Sequence, residues 1–68
     1  MKIPDQTKSP RFYVALNKDE AYSSWNSYEE AVDCIERFKQ YKLDMLQNIA
    51  GIIEVSSQYK VWVKLLIK

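Results

Sequence analysis

The residues best suited to chemistry lie at the end of the chain, where lysines alternate with a tryptophan and a leucine. Successive side chains of a β-strand point to opposite faces, so residues of the same parity share one face of the strand. Ammonium groups pair with phosphates, and an indole ring stacks on bases. The alternation therefore predicts a face that could bind nucleic acid. Its basic and aromatic members are Lys60, Trp62, Lys64 and Lys68.

Two features favour a protein partner over nucleic acid. Three lysines neutralise few phosphates, and the formal net charge of the chain is only +1, which gives no strong field for a polyanion. The aromatic residues also exceed what a core beneath one helix can hide, and exposed tyrosine and tryptophan are favoured at protein interfaces. The expected contact residues are Tyr13, Trp25, Tyr59, Trp62 and Leu66.

The leading hypothesis is therefore a small interaction module, such as an inhibitor, an adaptor or an accessory subunit, that binds a protein partner. A homodimer is one form that this interaction could take. A nucleic-acid-binding module that uses the lysine-rich face is the alternative.

Residues for catalysis are scarce. The chain has no histidine and a single glycine, so it lacks the commonest general base and any glycine-rich phosphate loop. Cys34 stands beside apolar residues and is interpreted as buried, and the acidic residues Glu29, Asp33 and Glu36 are interpreted as a solvated helix face. We expect no enzyme, no catalytic residue, no cofactor and no metal.

Length and composition predict one small domain. The chain has 68 residues, and Pro4 and Pro10 stand among polar residues at its start, which predicts a flexible arm over 1–10 and a single domain over 11–68. A lone cysteine cannot form an internal disulfide, and no apolar run has the length of a signal peptide or a membrane span. We therefore expect a cytoplasmic protein with no membrane partner.

The elements that would position these residues can be predicted from local patterns. β-favouring runs predict strands over 12–16, 21–25, 52–55 and 59–68, with polar turns at 17–20 and 56–58. Ser27 and Glu30 have the spacing of a capping box, so a helix should begin at Tyr28 and end near Lys42. Residues 43–50 could continue that helix or form an irregular connection.

These elements together predict an α+β fold. The order is β-β-α-β-β, with one amphipathic helix packed on one face of a small antiparallel sheet. In the last strand, Tyr59, Val61 and Val63 should then face the helix. The opposite parity, which contains Trp62, should face outward.

Overall fold

The described part of the chain folds into one sheet and one helix, in the predicted order. The computed structural model describes residues 1–41 and 47–66, and contains β1 (Arg11–Ala15), β2 (Ala21–Trp25), α1 (Tyr28–Tyr41), β3 (Gly51–Val55) and β4 (Lys60–Leu65). The four strands are antiparallel and lie in the order β2-β1-β3-β4. The predicted α+β fold is confirmed. Residues 42–46 lie outside the described residues, and with them the expected helix end near Lys42 and the expected continuation or irregular connection over 43–46.

The hairpin between β1 and β2 is set by Asn17. Its side-chain oxygen accepts hydrogen bonds from the backbone N–H groups of Asp19 and Glu20, at 2.8 and 2.9 Å, which is the usual way that asparagine fixes a turn. The ladder then shifts, because Val14 pairs with Ser23 while Ala15 pairs with Ala21. Tyr22 is the extra residue of a β-bulge in this outer strand.

Helix α1 begins at the predicted residue. The Ser27 hydroxyl oxygen accepts from the Glu30 N–H at 3.2 Å, as expected for an N-cap. In a capping box the carboxylate of Glu30 would accept from the N–H of Ser27. Here it accepts instead from the N–H of Asn26, at 3.2 Å. The helix has 14 residues. Within the described residues, no helix combines the length and apolarity needed to cross a membrane.

The helix packs on one half of the sheet. It contacts β1 and β2, and its buried residues Ile35 and Phe38 form a cluster with Val14 of β1 and Ile52 of β3. A helix is about 10 Å wide and strands lie about 4.8 Å apart. One helix therefore covers about two strands of a four-stranded sheet.

The N-terminal segment packs on the opposite face. Ile3 is only 2% exposed and joins Tyr13 and Ile53 in a second apolar cluster. The Ile3 N–H donates to the Asp19 carbonyl at 2.8 Å, and the Thr7 hydroxyl donates to the Val55 carbonyl at 3.0 Å. The flexibility predicted for residues 1–10 stays a prediction. The structure adds that Ile3 belongs to the core.

The hairpin between β3 and β4 has a turn stabilised by Ser56 and a β-bulge at Val63. The Ser56 hydroxyl oxygen accepts from the N–H groups of Gln58 and Tyr59, at 3.1 and 3.2 Å, which supports the predicted turn. Further along, Ile53 pairs with Trp62 but Ile52 pairs with Lys64, so the intervening Val63 has no partner on β3. This bulge changes which side chains of β4 share a face.

Candidate functional site

The bulge at Val63 divides the predicted basic and aromatic face. Trp62 pairs with Ile53, whose side chain belongs to the cluster beneath the N-terminal segment. Lys64 pairs with Ile52, whose side chain belongs to the helix-side core, and Leu66 packs against that same core. Because paired residues share a face, the structure does not bring Trp62 together with Lys64. The regular alternation expected over 59–68 is wrong at this position.

The lysines of β4 also have different surroundings. The Lys60 ammonium lies 3.4 Å from the Asp5 carboxylate and 3.9 Å from that of Asp19. Its charge is therefore already paired with carboxylates of the N-terminal segment and of the turn between β1 and β2. Lys64 is half-buried on the opposite side, and Lys68 lies outside the described residues. The described lysines do not form the single surface that the nucleic-acid hypothesis requires.

Three of the predicted protein-contact residues are largely covered. Tyr13 is 5% exposed at the centre of the sheet, so it cannot act as a surface anchor. Trp25 is half-buried against the helix-side core, and its indole N–H donates to the Ser23 hydroxyl at 2.8 Å. Leu66 is half-buried against the same core. Tyr13 is covered on the face of the N-terminal segment, and Trp25 and Leu66 on the helix face. These side chains were expected at the surface because the sequence does not show how closely the two faces of the sheet are covered.

Tyr59 remains accessible at the hairpin turn. Its hydroxyl donates to the Glu54 carboxylate at 2.6 Å. This hydrogen bond, followed by partial desolvation and by the negative charge of Glu54, raises the pKa of the Tyr59 hydroxyl, while a hydrogen bond from Ser56 acts weakly in the other direction. The hydrogen bond therefore places the phenol beside Glu54 and favours its neutral form.

Among the described residues, the main exposed apolar side chains lie on β4. We call them the β4 surface and define it as Val61, Trp62, Val63 and Leu65, each of which is more than a third exposed. They lie along the outer strand on both of its faces, because Trp62 and Leu65 share the face of Ile53 while Val61 pairs with Glu54 on the other face. The sequence pattern predicted that Val61 and Val63 face the helix and singled out only Trp62 as exposed. The signal that could have identified them is the presence of a single predicted helix. One helix is wide enough to cover about two strands, so it leaves the fourth strand uncovered.

A groove runs along the other edge of the sheet, between β2 and α1. It has a volume of about 710 Å³. Its apolar lining includes Tyr22, Trp25 and Phe38, and the rings of Tyr22 and Phe38 meet edge to face with centroids 4.9 Å apart. Arg11 and Glu30 contribute polar groups to the lining. The groove thus combines a strand edge with an apolar floor.

Among the residues that the structure describes, groups that could support catalysis or metal binding are not brought together. Cys34 is buried at the groove floor, as predicted, and its sulfur lies 3.7 Å from the Ser23 hydroxyl. The acidic helix face is occupied by ion pairs of Asp33 with Arg37 at 3.0 Å and of Glu36 with Lys39 at 3.5 Å. Over residues 1–41 and 47–66, no group of three or more metal-ligating side chains is present.

Comparison of the chain with models of protein families, with curated proteins and with solved structures finds no significant match. Function is therefore inferred from the geometry of the β4 surface and of the groove.

Proposed function

We propose that this protein is a small protein-binding module that docks a partner through the β4 surface. The observation that carries the proposal is that the outermost strand of the sheet presents Val61, Trp62, Val63 and Leu65 to solvent. Apolar side chains exposed along an outer strand lower the free energy of association when a partner wraps that strand and covers them, at roughly 25 cal/mol per Å² of apolar area removed from water.

The edges of this surface favour a specific partner over indiscriminate self-association. Lys60 and Lys64 flank Trp62 on β4, and the bulge at Val63 interrupts the regular edge. Lysines and bulges on an outer strand oppose uncontrolled pairing with other strands. A partner must therefore fit the side chains of β4 and cannot rely on backbone pairing alone.

A role as an inhibitor, an adaptor or an accessory subunit is consistent with such a surface. A second copy of the chain is one partner that could cover it, since an apolar patch close to a two-fold axis is buried against itself. The absence of an assembled catalytic group in the described residues leaves binding as the function that the geometry supports best.

Leu65 is the most informative position for a test. Trp62 is 36% exposed, so removing its indole would also remove packing against the sheet, whereas Leu65 is 59% exposed. We expect Leu65→Ser to leave folding nearly unchanged and to weaken partner binding. Tyr41→Ser is the matched control, because Tyr41 is similarly exposed but lies at the end of α1.

The experiment compares the three chains as affinity baits in lysate of the source cells, with and without nuclease, and measures captured proteins by mass spectrometry. Proteins that the unmodified chain and Tyr41→Ser retain, and that Leu65→Ser loses, support the proposal. Light scattering over a range of protein concentrations measures self-association of the same three chains and so tests whether a second copy covers the β4 surface. The proposal is wrong if Leu65→Ser captures every protein that Tyr41→Ser captures and self-associates equally.

A further inference from the structure

The groove between β2 and α1 has features that the proposed function does not use. β2 is the outer strand on the side of the sheet opposite β4. At its first residue this edge is already paired, because the Ala21 N–H donates to the Met1 carbonyl and the Ala21 carbonyl accepts from the Met1 ammonium, each at 2.7 Å. Beyond Ala21, the outward backbone N–H and C=O groups of β2 have no partner strand in the part of the chain that the structure describes, and an extended chain satisfies such groups by adding a strand. No residue of β2 is charged, so this edge lacks the lysines that flank the outer edge of β4.

The floor of the groove is formed by packed aromatic and apolar side chains. Cys34 and Phe38 of α1 are buried, and Tyr22 packs edge to face on Phe38. Trp25 is fixed by its hydrogen bond to Ser23. An occupant that alternates side chains along an extended backbone could insert every second one into this floor without first ordering it.

Arg11 supplies a cation with a fixed direction at one wall of the groove. Its guanidinium donates to the Asn26 side-chain oxygen at 2.6 Å and to the Ser24 hydroxyl at 2.8 Å. Both acceptors are neutral, and in the part of the chain that the structure describes no carboxylate lies within ion-pair distance of Arg11. A planar guanidinium held in this way is suited to pairing with a carboxylate.

The two carboxylates that line the groove have other partners. Asp33 pairs with Arg37 at 3.0 Å. Glu30 accepts from the Asn26 N–H in the first turn of α1, where the helix dipole stabilises negative charge. Neither compensates the charge of Arg11 directly.

The geometry points to this groove as a site for an extended peptide that adds a strand to β2, inserts apolar side chains over Phe38, and places a carboxylate against Arg11. The bulge at Tyr22 restricts regular pairing to Ser23, Ser24 and Trp25. The peptide contact is therefore short, and the apolar floor and Arg11 must supply much of its affinity and selectivity. This site is separate from the β4 surface and does not depend on the function proposed for it.

The probe is a phage-displayed library of short random peptides, selected against the intact chain. We expect enriched sequences that alternate β-branched or aromatic residues with polar ones and that carry an aspartate or glutamate. Amide chemical shifts on titration with an enriched synthetic peptide should change at Ser23, Ser24 and Trp25 and along the facing side of α1. A peptide with N-methyl groups on one set of alternate residues should lose binding, while methylation of the other set should be tolerated.

Two variants test the contact with the cation. Arg11→Gln should lower the affinity for the acidic peptide by about five- to tenfold. Replacing the acidic residue of the peptide by its amide should lower the affinity by a similar factor. Combining Arg11→Gln with the amide form of the peptide should lower the affinity little more than either change alone. Lys39→Gln makes the same change of charge outside the groove and should leave the affinity within about twofold.

The inference is overturned if selection enriches no sequence, if the shifts map away from β2 and α1, or if both methylated peptides bind equally. It is equally overturned if Arg11→Gln leaves the affinity unchanged. The Leu65→Ser variant should bind these peptides normally, so failure at the groove and failure at the β4 surface give different results.

Discussion

Replacing Gly51 by alanine should destabilise the domain strongly, because two features of this position require glycine. Its φ angle is 157°, in a region that side chains rarely adopt. A Cβ atom there would overlap the carbonyl oxygen of Lys64 and would lie 3.0 Å from the Lys64 carbonyl carbon and 3.1 Å from the Cα of Leu65. All three atoms belong to the backbone of β4, so no side-chain rotation relieves the overlap.

The expected loss follows from these two effects. An unfavourable φ angle costs about 1–3 kcal/mol, and moving β4 away from β3 weakens hydrogen bonds worth about 1 kcal/mol each. Together they give a loss of about 3 kcal/mol. A chain of 68 residues has a total stability of about 3–10 kcal/mol, so Gly51→Ala should remove a large part of it.

Urea denaturation followed by far-ultraviolet circular dichroism measures the change, since this signal reports the whole sheet and not only the surroundings of Trp62. Gln58→Ala in the exposed hairpin turn is the control and should change the free energy of unfolding by less than about 0.5 kcal/mol. A loss below about 1 kcal/mol for Gly51→Ala would refute the reasoning. It would mean that β3 and β4 do not approach each other closely at this position.

Two further predictions follow from the N-terminal segment and from the hairpin. Ile3→Ala should lower the free energy of unfolding by about 2–4 kcal/mol because it empties a buried site, while Pro4→Ala, at an exposed neighbour, should have little effect; equal effects in urea denaturation would show that the segment is not docked. The raised pKa of Tyr59 contributes stability that is complete below its ordinary value of 10.0 and is lost as the pH rises through the folded-state value. Ultraviolet titration should show the Tyr59 tyrosinate forming at a higher pH in the unmodified chain than in Glu54→Ala. Identical titrations would contradict the role of Glu54.

The fold was largely predictable because local patterns and tertiary packing agree. Ser27 and the apolar spacing of Ile35 and Phe38 predict the helix on the face where the structure places it. Asn17 predicts the first turn through the hydrogen bonds that it accepts. The role of Ile3 was not predictable in this way, because a single apolar residue between polar neighbours has no periodicity and is buried only through contacts that are distant in the sequence.

The candidate site was less predictable, and the reason is the bulge at Val63. A two-residue period assigns every side chain of a strand to a face, and one extra residue reverses the assignment for all that follow. Lys64 and Leu66 thereby move to the helix side. The sequence contains no glycine or proline near Val63 that would mark such a bulge. Its position is set by the pairing with β3, where Gly51 permits the close approach of β4.

The two outer strands therefore suit different kinds of binding. On β4, the lysines and the bulge oppose backbone pairing while Val61, Val63 and Leu65 remain exposed, so a partner there gains mainly from covering apolar side chains. On β2, the strand carries no charge and α1 forms one wall, so the proposed peptide would gain from backbone hydrogen bonds beyond Ala21 as well as from the apolar side chains of the groove. Because the two edges are separated by β1 and β3, both could be occupied at once, and variants at one edge should leave binding at the other unchanged.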